Sequence, residues 1–147
     1  MNISPVNYYT SETKNAIPLY LIAENNLPST DEISAKHQQW LQRRNFSGKL
    51  GESVLVHNEQ GEIETVYIGA GANQWAQAMA NAASLLPEGN YATQEERSLT
   101  EKLYWGMAQY QFSRYKKMPA SRRLLCVPEK EQAVLENDLQ MVFRVRD

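Results

Sequence analysis

Two patterns of hydrophobic and polar residues, one typical of strands and one typical of helices, predict the secondary structure of the chain. Short apolar runs bounded by polar residues predict strands, whereas apolar residues at spacings of three and four predict one face of a helix. The predicted strands are 17–23, 53–57, 63–68, 89–92 and 122–127. The predicted helices are 29–45, 75–86, 93–118 and 128 to nearly the end of the chain.

Two of the helix starts are predicted from capping patterns. Thr93 is followed by Glu96, and Ser29 is followed by Glu32. In each pair the hydroxyl and the carboxylate can satisfy backbone N–H groups of a first helical turn. We therefore expect these two helices to begin at these residues.

The helix predicted over 93–118 has the clearest sequence signals for its buried face and its end. Its buried face is predicted from residues at helical spacing: Leu99, Leu103, Gly106, Met107 and Tyr110. A glycine inside a helix costs about 1 kcal/mol relative to alanine, so Gly106 indicates that another backbone approaches closely there. Pro119 limits the helix at its carboxyl end.

Strands and helices alternate along the chain, with one hairpin at residues 53–68. This order predicts an α/β fold, in which a single layered domain has a mixed, mostly five-stranded sheet with helices on both faces. Residues 1–16 are polar and have no sustained period, so we expect a flexible N-terminal arm. The domain is therefore expected to span 17–147.

Charge and cysteine content limit the classes of function. The chain has 15 basic and 17 acidic side chains and a net charge of −2, which argues against a dedicated nucleic-acid binder. Cys126 is the only cysteine, so neither an intrachain disulfide nor a multi-cysteine zinc site can form. The sequence has no signal-like segment and no run of about 18 apolar residues. We expect a cytoplasmic protein that does not bind membranes.

A glycine-rich turn joins the strand predicted over 63–68 to the next helix. Gly69, Gly71 and Asn73 lie in this turn, and N–H groups at a helix start can bind an anion. The turn lacks the third glycine of a dinucleotide fingerprint and the Lys-Ser/Thr pair of a phosphate loop. We favour a tight structural turn and keep an anion site as the alternative.

A cluster of positive side chains follows the aromatic part of the helix over 93–118. Its members are Arg114, Lys116, Lys117, Arg122 and Arg123. Such a cluster can contact phosphate, or it can be a solvated helix end and strand start. We favour the solvated surface because the chain has no overall positive charge.

No residue is identified as catalytic or metal-binding. His37 and His57 have no partners at metal-ligand spacing. Cys126 lies in an apolar run, where a thiol usually acts as a small hydrophobe. No serine lies in a G-x-S-x-G turn.

The segment 105–117 is similar to a signature of the leucyl aminopeptidases, the two-metal cytosolic exopeptidase family. The shared pattern, G-x-x-x-Y-x-F-x-x-Y-K, begins at Gly106. Three further segments resemble family patterns in the same order: 66–71 (V-x-x-G-x-G), 86–91 (L-P-x-G-x-Y) and 145–147 (the start of R-D-L-x-N-x-P). The resemblance covers 17–147 and is closest to bacterial members with short N-terminal domains.

The resemblance implies an N-terminal accessory domain of macro-domain-like fold, with a catalytic domain beyond residue 147. Family members hydrolyse N-terminal residues from peptides with two divalent metal ions, Zn or Mn. All their metal-binding and catalytic residues belong to the catalytic domain, so none is assigned here. Relatives are homohexamers in which this domain assists assembly and access to the active sites. The 147-residue chain by itself is expected to be inactive.

Two alternatives to this role are kept. A macro-like module would bind a phosphate-containing small molecule, such as ADP-ribose, at the glycine turn. A nucleic-acid contact would instead use the basic cluster, as some relatives do.

Overall fold

The computed structural model describes residues 8–29, 31–116 and 123–146, with side chains described up to residue 110 and again over 123–141. The helices are α1 (Ala35–Arg43), α2 (Trp75–Leu85), α3 (Leu99–Lys116) and α4 (Glu129–Arg146). The strands are β1 (Tyr9–Thr10), β2 (Ile17–Ala23), β3 (Ser53–His57), β4 (Ile63–Gly71), β5 (Gly89–Thr93) and β6 (Arg123–Cys126). None of the described helices is long and apolar enough to cross a membrane.

The strands form one mixed sheet in the order β1-β6-β5-β2-β4-β3. β3 is antiparallel to β4, as the predicted hairpin requires, and all other neighbours are parallel. Parallel neighbours need crossover connections, and α1 with β3, then α2, then α3 lie in the three connections from β2 to β6. The predicted α/β class with a mixed sheet is confirmed.

The sheet has six strands, not five, because the N-terminal segment adds an edge strand. β1 pairs in parallel with β6, and Tyr8 and Tyr9 are 3% and 1% exposed. The prediction of a flexible arm over 1–16 is therefore wrong for residues 8–10. A two-residue strand shows no period in a sequence. The hydroxyl of Tyr9 can be buried because it donates to the carbonyl oxygen of Lys102 at 2.6 Å, a partner that only the fold supplies.

Side chains of the sheet alternate between two apolar cores on opposite faces. In β2, Leu19 and Leu21 enter the larger core, whereas Ile22 enters the smaller one. Helices α2, α3 and α4 contribute to the larger core, and α1 contributes to the smaller one through Leu41. Helices thus cover both faces, as predicted.

Helices α1 and α3 begin several residues after their predicted starts at 29 and 93. The Ser34 hydroxyl accepts a hydrogen bond from the N–H of His37 at the start of α1. Ser98 and Glu101 form the reciprocal pair at the start of α3, with N···O distances of 3.2 and 3.3 Å. Thr93 instead ends β5, where it pairs with β2. At Thr93, pairing of β5 with β2 overrides the local capping signal.

The predicted buried face of α3 is confirmed except at Leu99, which is 43% exposed. Gly106 is buried, and Leu103, Met107 and Tyr110 pack against the larger core. The prediction missed Trp105, which is fully buried.

Lys102 and Gln109 are buried polar residues. The Lys102 ammonium lies 2.5 Å from a carboxylate of α4, and the Gln109 amide donates to the carbonyl oxygen of Arg123 at 2.8 Å. The spacing of apolar residues cannot predict the burial of Lys102 and Gln109, because polar groups are buried only where partners are available.

Gly106 lies where α3 meets β1 and α4. A Cβ atom on this residue would lie 2.6 Å from Cδ1 of Leu139 and 2.7 Å from the hydroxyl of Tyr9. The close approach predicted from the glycine exists. It is made by two side chains, however, and the prediction of an approaching backbone is wrong.

Candidate functional site

The glycine turn lies where β4 ends and α2 begins. Gly71 and Asn73 have left-handed backbones, with φ of 57° and 59°. The N–H of Gly69 donates to the carbonyl oxygen of Glu52 at 2.8 Å, and the N–H of Gly71 donates to that of Gly48 at 2.9 Å. The N–H of Asn73 donates to the carbonyl oxygen of Gly71 at 3.0 Å, so the N–H groups of all three predicted residues are bonded within the chain.

A loop of residues 47–52 packs against this turn. A Cβ atom on Gly69 would overlap the carbonyl oxygen of Lys49, so only glycine fits where the loop crosses β4. The loop also encloses its own anion, because Oε1 of Glu52 accepts from the N–H groups of residues 47–49, each at 3.0 Å. Such a concave row of N–H groups is a common anion-binding arrangement in proteins. Anion binding at the turn stays a prediction.

The hydrogen bonds of this loop change the acidity of Glu52. Burial by itself would raise the pKa of the carboxyl group. The N–H groups of Ser47, Lys49 and Gly48 and the Ser47 hydroxyl favour the charged form, and together they hold the pKa below its usual value. The carboxylate is thus ionised at neutral pH and stabilises the loop.

The first residue of α2 is covered by an arginine with two acidic partners. The Arg97 guanidinium lies 4.6 Å from the centre of the Trp75 ring. It is 3.0 Å from the Glu95 carboxylate and 3.8 Å from that of Glu101, and its side chain is 10% exposed. Because these carboxylates neutralise its charge, Arg97 stabilises the packing beside the turn and is not an open anion receptor.

The basic cluster is only partly within the described residues. Arg114 and Lys116 lie in the last turn of α3 with undescribed side chains, and Lys117 and Arg122 lie outside the described ranges. Arg123 begins β6, and its Nε donates to a backbone carbonyl oxygen at the end of α2. One of the five charges therefore has a structural contact, and phosphate binding by the cluster stays a prediction.

His37 connects α1 to the sheet. Its Nδ1 lies 2.8 Å from the hydroxyl of Tyr67, and its Nε2 lies 3.6 Å from Glu64. Burial raises the pKa of Tyr67 well above its ordinary value, so the hydroxyl keeps its proton and can donate it to Nδ1. Glu64 also accepts from Lys36 at 2.7 Å. Each of these groups has a partner that accounts for its position.

The other candidate groups for chemistry have structural contacts as well. The His57 ring centre lies 5.9 Å from that of Trp40. The Cys126 thiol donates to the Glu12 carbonyl oxygen at 3.1 Å, and burial together with the Glu12 charge raises its pKa, which disfavours the reactive thiolate. Over 8–29, 31–116 and 123–146, no group of three or more His, Cys, Asp or Glu side chains could hold a metal ion. A two-metal centre does not fit this part of the chain.

Comparison with known proteins shows to which family the chain belongs. The family model described as M17 aminopeptidase, N-terminal domain, matches residues 17–128. The chain belongs to the M17 aminopeptidase family. The match runs from β2 to just beyond β6. The five longer strands of the M17 domain therefore lie within it, and the edge strand β1 lies outside.

A solved structure shares the fold of this M17 domain. The crystal structure of cytosol aminopeptidase from Coxiella burnetii, at 1.8 Å resolution, has a TM-score of 0.73 and 22% sequence identity to the chain. The match covers 88% of this chain and 30% of the Coxiella chain, so the M17 domain spans about a third of that protein. Comparison with curated protein sequences gives no match.

The segments that resembled the family have structural positions in the M17 domain. Residues 66–71 form the second half of β4, and 86–91 lead from α2 into β5. Sequence reasoning missed the role of Trp105, whose indole N–H donates to the carbonyl oxygens of Tyr8 and Arg123 at 3.0 Å each. Its only signal was a large aromatic residue directly before Gly106, because both partners are distant in sequence.

Proposed function

We propose that this M17 domain is the non-catalytic accessory part of a metal-dependent aminopeptidase that hydrolyses N-terminal residues from peptides. One observation carries the proposal. The family match occupies residues 17–128 of a chain that spans 30% of the cytosol aminopeptidase of similar fold. The larger part of such an enzyme is then available to carry the active site.

The proposal assigns the metal chemistry to a catalytic domain beyond residue 147. Two divalent ions, Zn or Mn, would there polarise the scissile carbonyl and activate a water molecule. Holding such ions requires several carboxylate or imidazole ligands at one point. The described residues bring no three such side chains together, which supports a structural role for this domain.

We further propose that the domain contacts its own catalytic domain and assists assembly of a cytoplasmic homohexamer and access to its active sites. Exposed apolar side chains on the two packed helices α3 and α4 support a contact role. They are Leu99 (43% exposed), Tyr104 (37%), Val134 (44%) and Met141 (59%). The net charge of −2 favours protein partners over nucleic acid.

Incubation of the purified chain with a leucyl chromogenic amide and Mn²⁺ or Zn²⁺ tests the proposal. We expect no release of the chromophore above that in metal-containing buffer. A chain that continues into the catalytic domain, at equal molar concentration, is the positive control. Substantial turnover by the pure 147-residue chain would overturn the proposal.

Two other functions are kept as weaker proposals. A phosphate-containing small molecule would bind at the glycine turn, and nucleic acid would bind at the basic cluster. The described contacts favour neither, because the N–H groups of Gly69 and Gly71 and the Arg123 side chain already have partners in the chain.

A further inference from the structure

The loop of residues 47–52 directs its hydrogen-bond donors at a single carboxylate oxygen. Oε1 of Glu52 accepts from the backbone N–H groups of Ser47, Gly48 and Lys49, each at 3.0 Å. The same oxygen also accepts from the Ser47 hydroxyl at 3.2 Å. Four donors therefore converge on one point, as in the concave anion sites that backbone N–H groups form in proteins.

The backbone at Gly48 gives the loop this shape. Gly48 has a left-handed backbone with φ of 91°, which turns successive N–H groups toward the same side of the chain. A Cβ atom at this position would also lie 2.6 Å from the carbonyl oxygen of Ala23, so only glycine fits. The direction of the donors is thus a property of the backbone and does not require a particular side chain at position 52.

Three backbone hydrogen bonds hold the loop beside the carboxyl ends of β2 and β4. The carbonyl oxygen of Ser47 accepts from the N–H of Asn25 at 2.9 Å. The carbonyl oxygens of Gly48 and Glu52 accept from the N–H groups of Gly71 and Gly69 at 2.9 and 2.8 Å. None of these bonds involves the Glu52 carboxylate, so we expect the donors to stay convergent when this side chain is shortened.

Neutral donors alone hold the Glu52 carboxylate. Among the side chains that the structure describes, no cation lies within ion-pair distance of Glu52. The residue is half-buried, so a small anion in solution can reach the same point. Without an anion, the N–H groups of residues 47–49 would lose their acceptor, which is unfavourable.

The part of Glu52 that fills the site has the size of a common small anion. Glu52→Ala deletes Cγ and the carboxyl group, which together are the heavy atoms of acetate. An acetate ion in the vacated space can therefore place an oxygen where Oε1 lies without a change in the loop. The observed contacts with Oε1 assign the ligand class, a small carboxylate.

We propose that residues 47–49 form a carboxylate-binding site that Glu52 occupies from within the chain, and that free acetate binds there once this carboxylate is removed. In the wild-type chain Glu52 excludes free anions, because a tethered ligand has a far higher effective concentration than one in solution. Its carboxylate fastens the loop over the carboxyl ends of β2 and β4. This site is independent of any catalytic activity.

Thermal unfolding of Glu52→Ala in rising sodium acetate, at an ionic strength kept constant with sodium chloride, tests the proposal. We expect the variant to melt below the wild type in chloride and to gain about 3 °C in acetate, saturably, once the ligand reaches about five times its dissociation constant. In ¹⁵N NMR spectra, the amide signals of residues 47–49 should shift over the same concentrations. If the variant is unfolded in chloride, we expect acetate to restore the folded protein.

Three proteins serve as controls, and none should show a saturable response to acetate. They are the wild type, Glu52→Gln, whose amide fills the same space, and Glu59→Ala, which removes an exposed carboxylate elsewhere. The proposal is overturned if acetate neither stabilises nor refolds Glu52→Ala. It is also overturned if Glu52→Gln or Glu59→Ala responds equally, or if the amide shifts lie outside residues 47–49.

Discussion

The sheet face beneath α2, α3 and α4 supports a continuous apolar core that extends from β4 to β1. The opposite face, beneath α1, has a much smaller core around Ile22, Leu41 and Phe46. Each core contains a buried tyrosine whose hydroxyl has a hydrogen-bond partner. Tyr9 donates to Lys102 in the larger core, and the Tyr67 hydroxyl lies 2.8 Å from Nδ1 of His37 in the smaller one.

The two faces differ in how exposed their ion pairs are. Lys102 and Glu131 join α3 to α4 at 2.5 Å, with side chains 9% and 26% exposed. Lys36 and Glu64 join α1 to β4 at 2.7 Å, with side chains 46% and 40% exposed. Water and salt screen the second pair far more than the first. We infer that the face covered by α2, α3 and α4 supplies most of the stability.

The largest effect is expected from overpacking the larger core. Gly106→Leu places a side chain where even a Cβ would meet Leu139 and Tyr9. We expect a loss of about 3 kcal/mol in the free energy of unfolding, measured by urea denaturation. Ala133→Leu on the exposed side of α4 is the control and should change stability little. An unchanged midpoint for Gly106→Leu would show that α3 does not pack against β1 and α4 as described.

The two ion pairs allow a direct comparison between the faces. Lys102→Met leaves the Glu131 carboxylate partly buried without its partner, and we expect a loss of about 2 kcal/mol. Lys36→Met removes an exposed, solvent-screened pair and should change stability much less than Lys102→Met does. Thermal unfolding of both variants in low and high salt is the measurement. Equal losses would contradict the assignment of stability to the larger core.

A smaller effect than that of Lys102→Met is expected at the loop that follows Phe46 of the smaller core. Glu52→Gln keeps the shape of the side chain but removes the charge that accepts from residues 47–49, at a cost of about 1 kcal/mol at pH 7. Because folding lowers the pKa of Glu52 from 4.5, this contribution is complete above pH 4.5 and disappears as the pH falls through the lowered value.

The measurement for this loop is the melting temperature of wild type and Glu52→Gln across that pH range. The two proteins should converge in acid. Glu59→Gln, on an exposed loop residue with no side-chain hydrogen bond among the described residues, is the control and should follow the wild type throughout. A pH-independent difference for Glu52→Gln would exclude the carboxylate as its cause.

Much of the fold follows from short-range sequence patterns. Strands β2 and β3 have their predicted bounds, because apolar runs and the flanking turn residues are local signals. β4 is longer than predicted and includes Gly69 and Gly71, since parallel pairing with β2 continues to the turn. The family was also recognisable from ordered short motifs, and the family match confirms it.

The candidate sites were less predictable than the fold. Gly69, Gly71 and Asn73 were correctly placed in a turn between a strand and a helix. Loop 47–52 supplies carbonyl acceptors for two N–H groups of the turn. The sequence did not predict this contact, because the loop lies about 20 residues earlier in the chain.

The sequence by itself determined the α/β class, the hairpin and the membership of the M17 family, because periodicity, turn residues and short motifs act over a few neighbouring positions. The tertiary structure decided the edge strand β1, the start of α3 and the burial of Lys102 and Gln109. Each of these depends on a partner that is distant in the chain, such as the carbonyl oxygen that accepts from Tyr9 93 positions away. Buried polar groups are stable only when such partners meet, and folding alone brings them together.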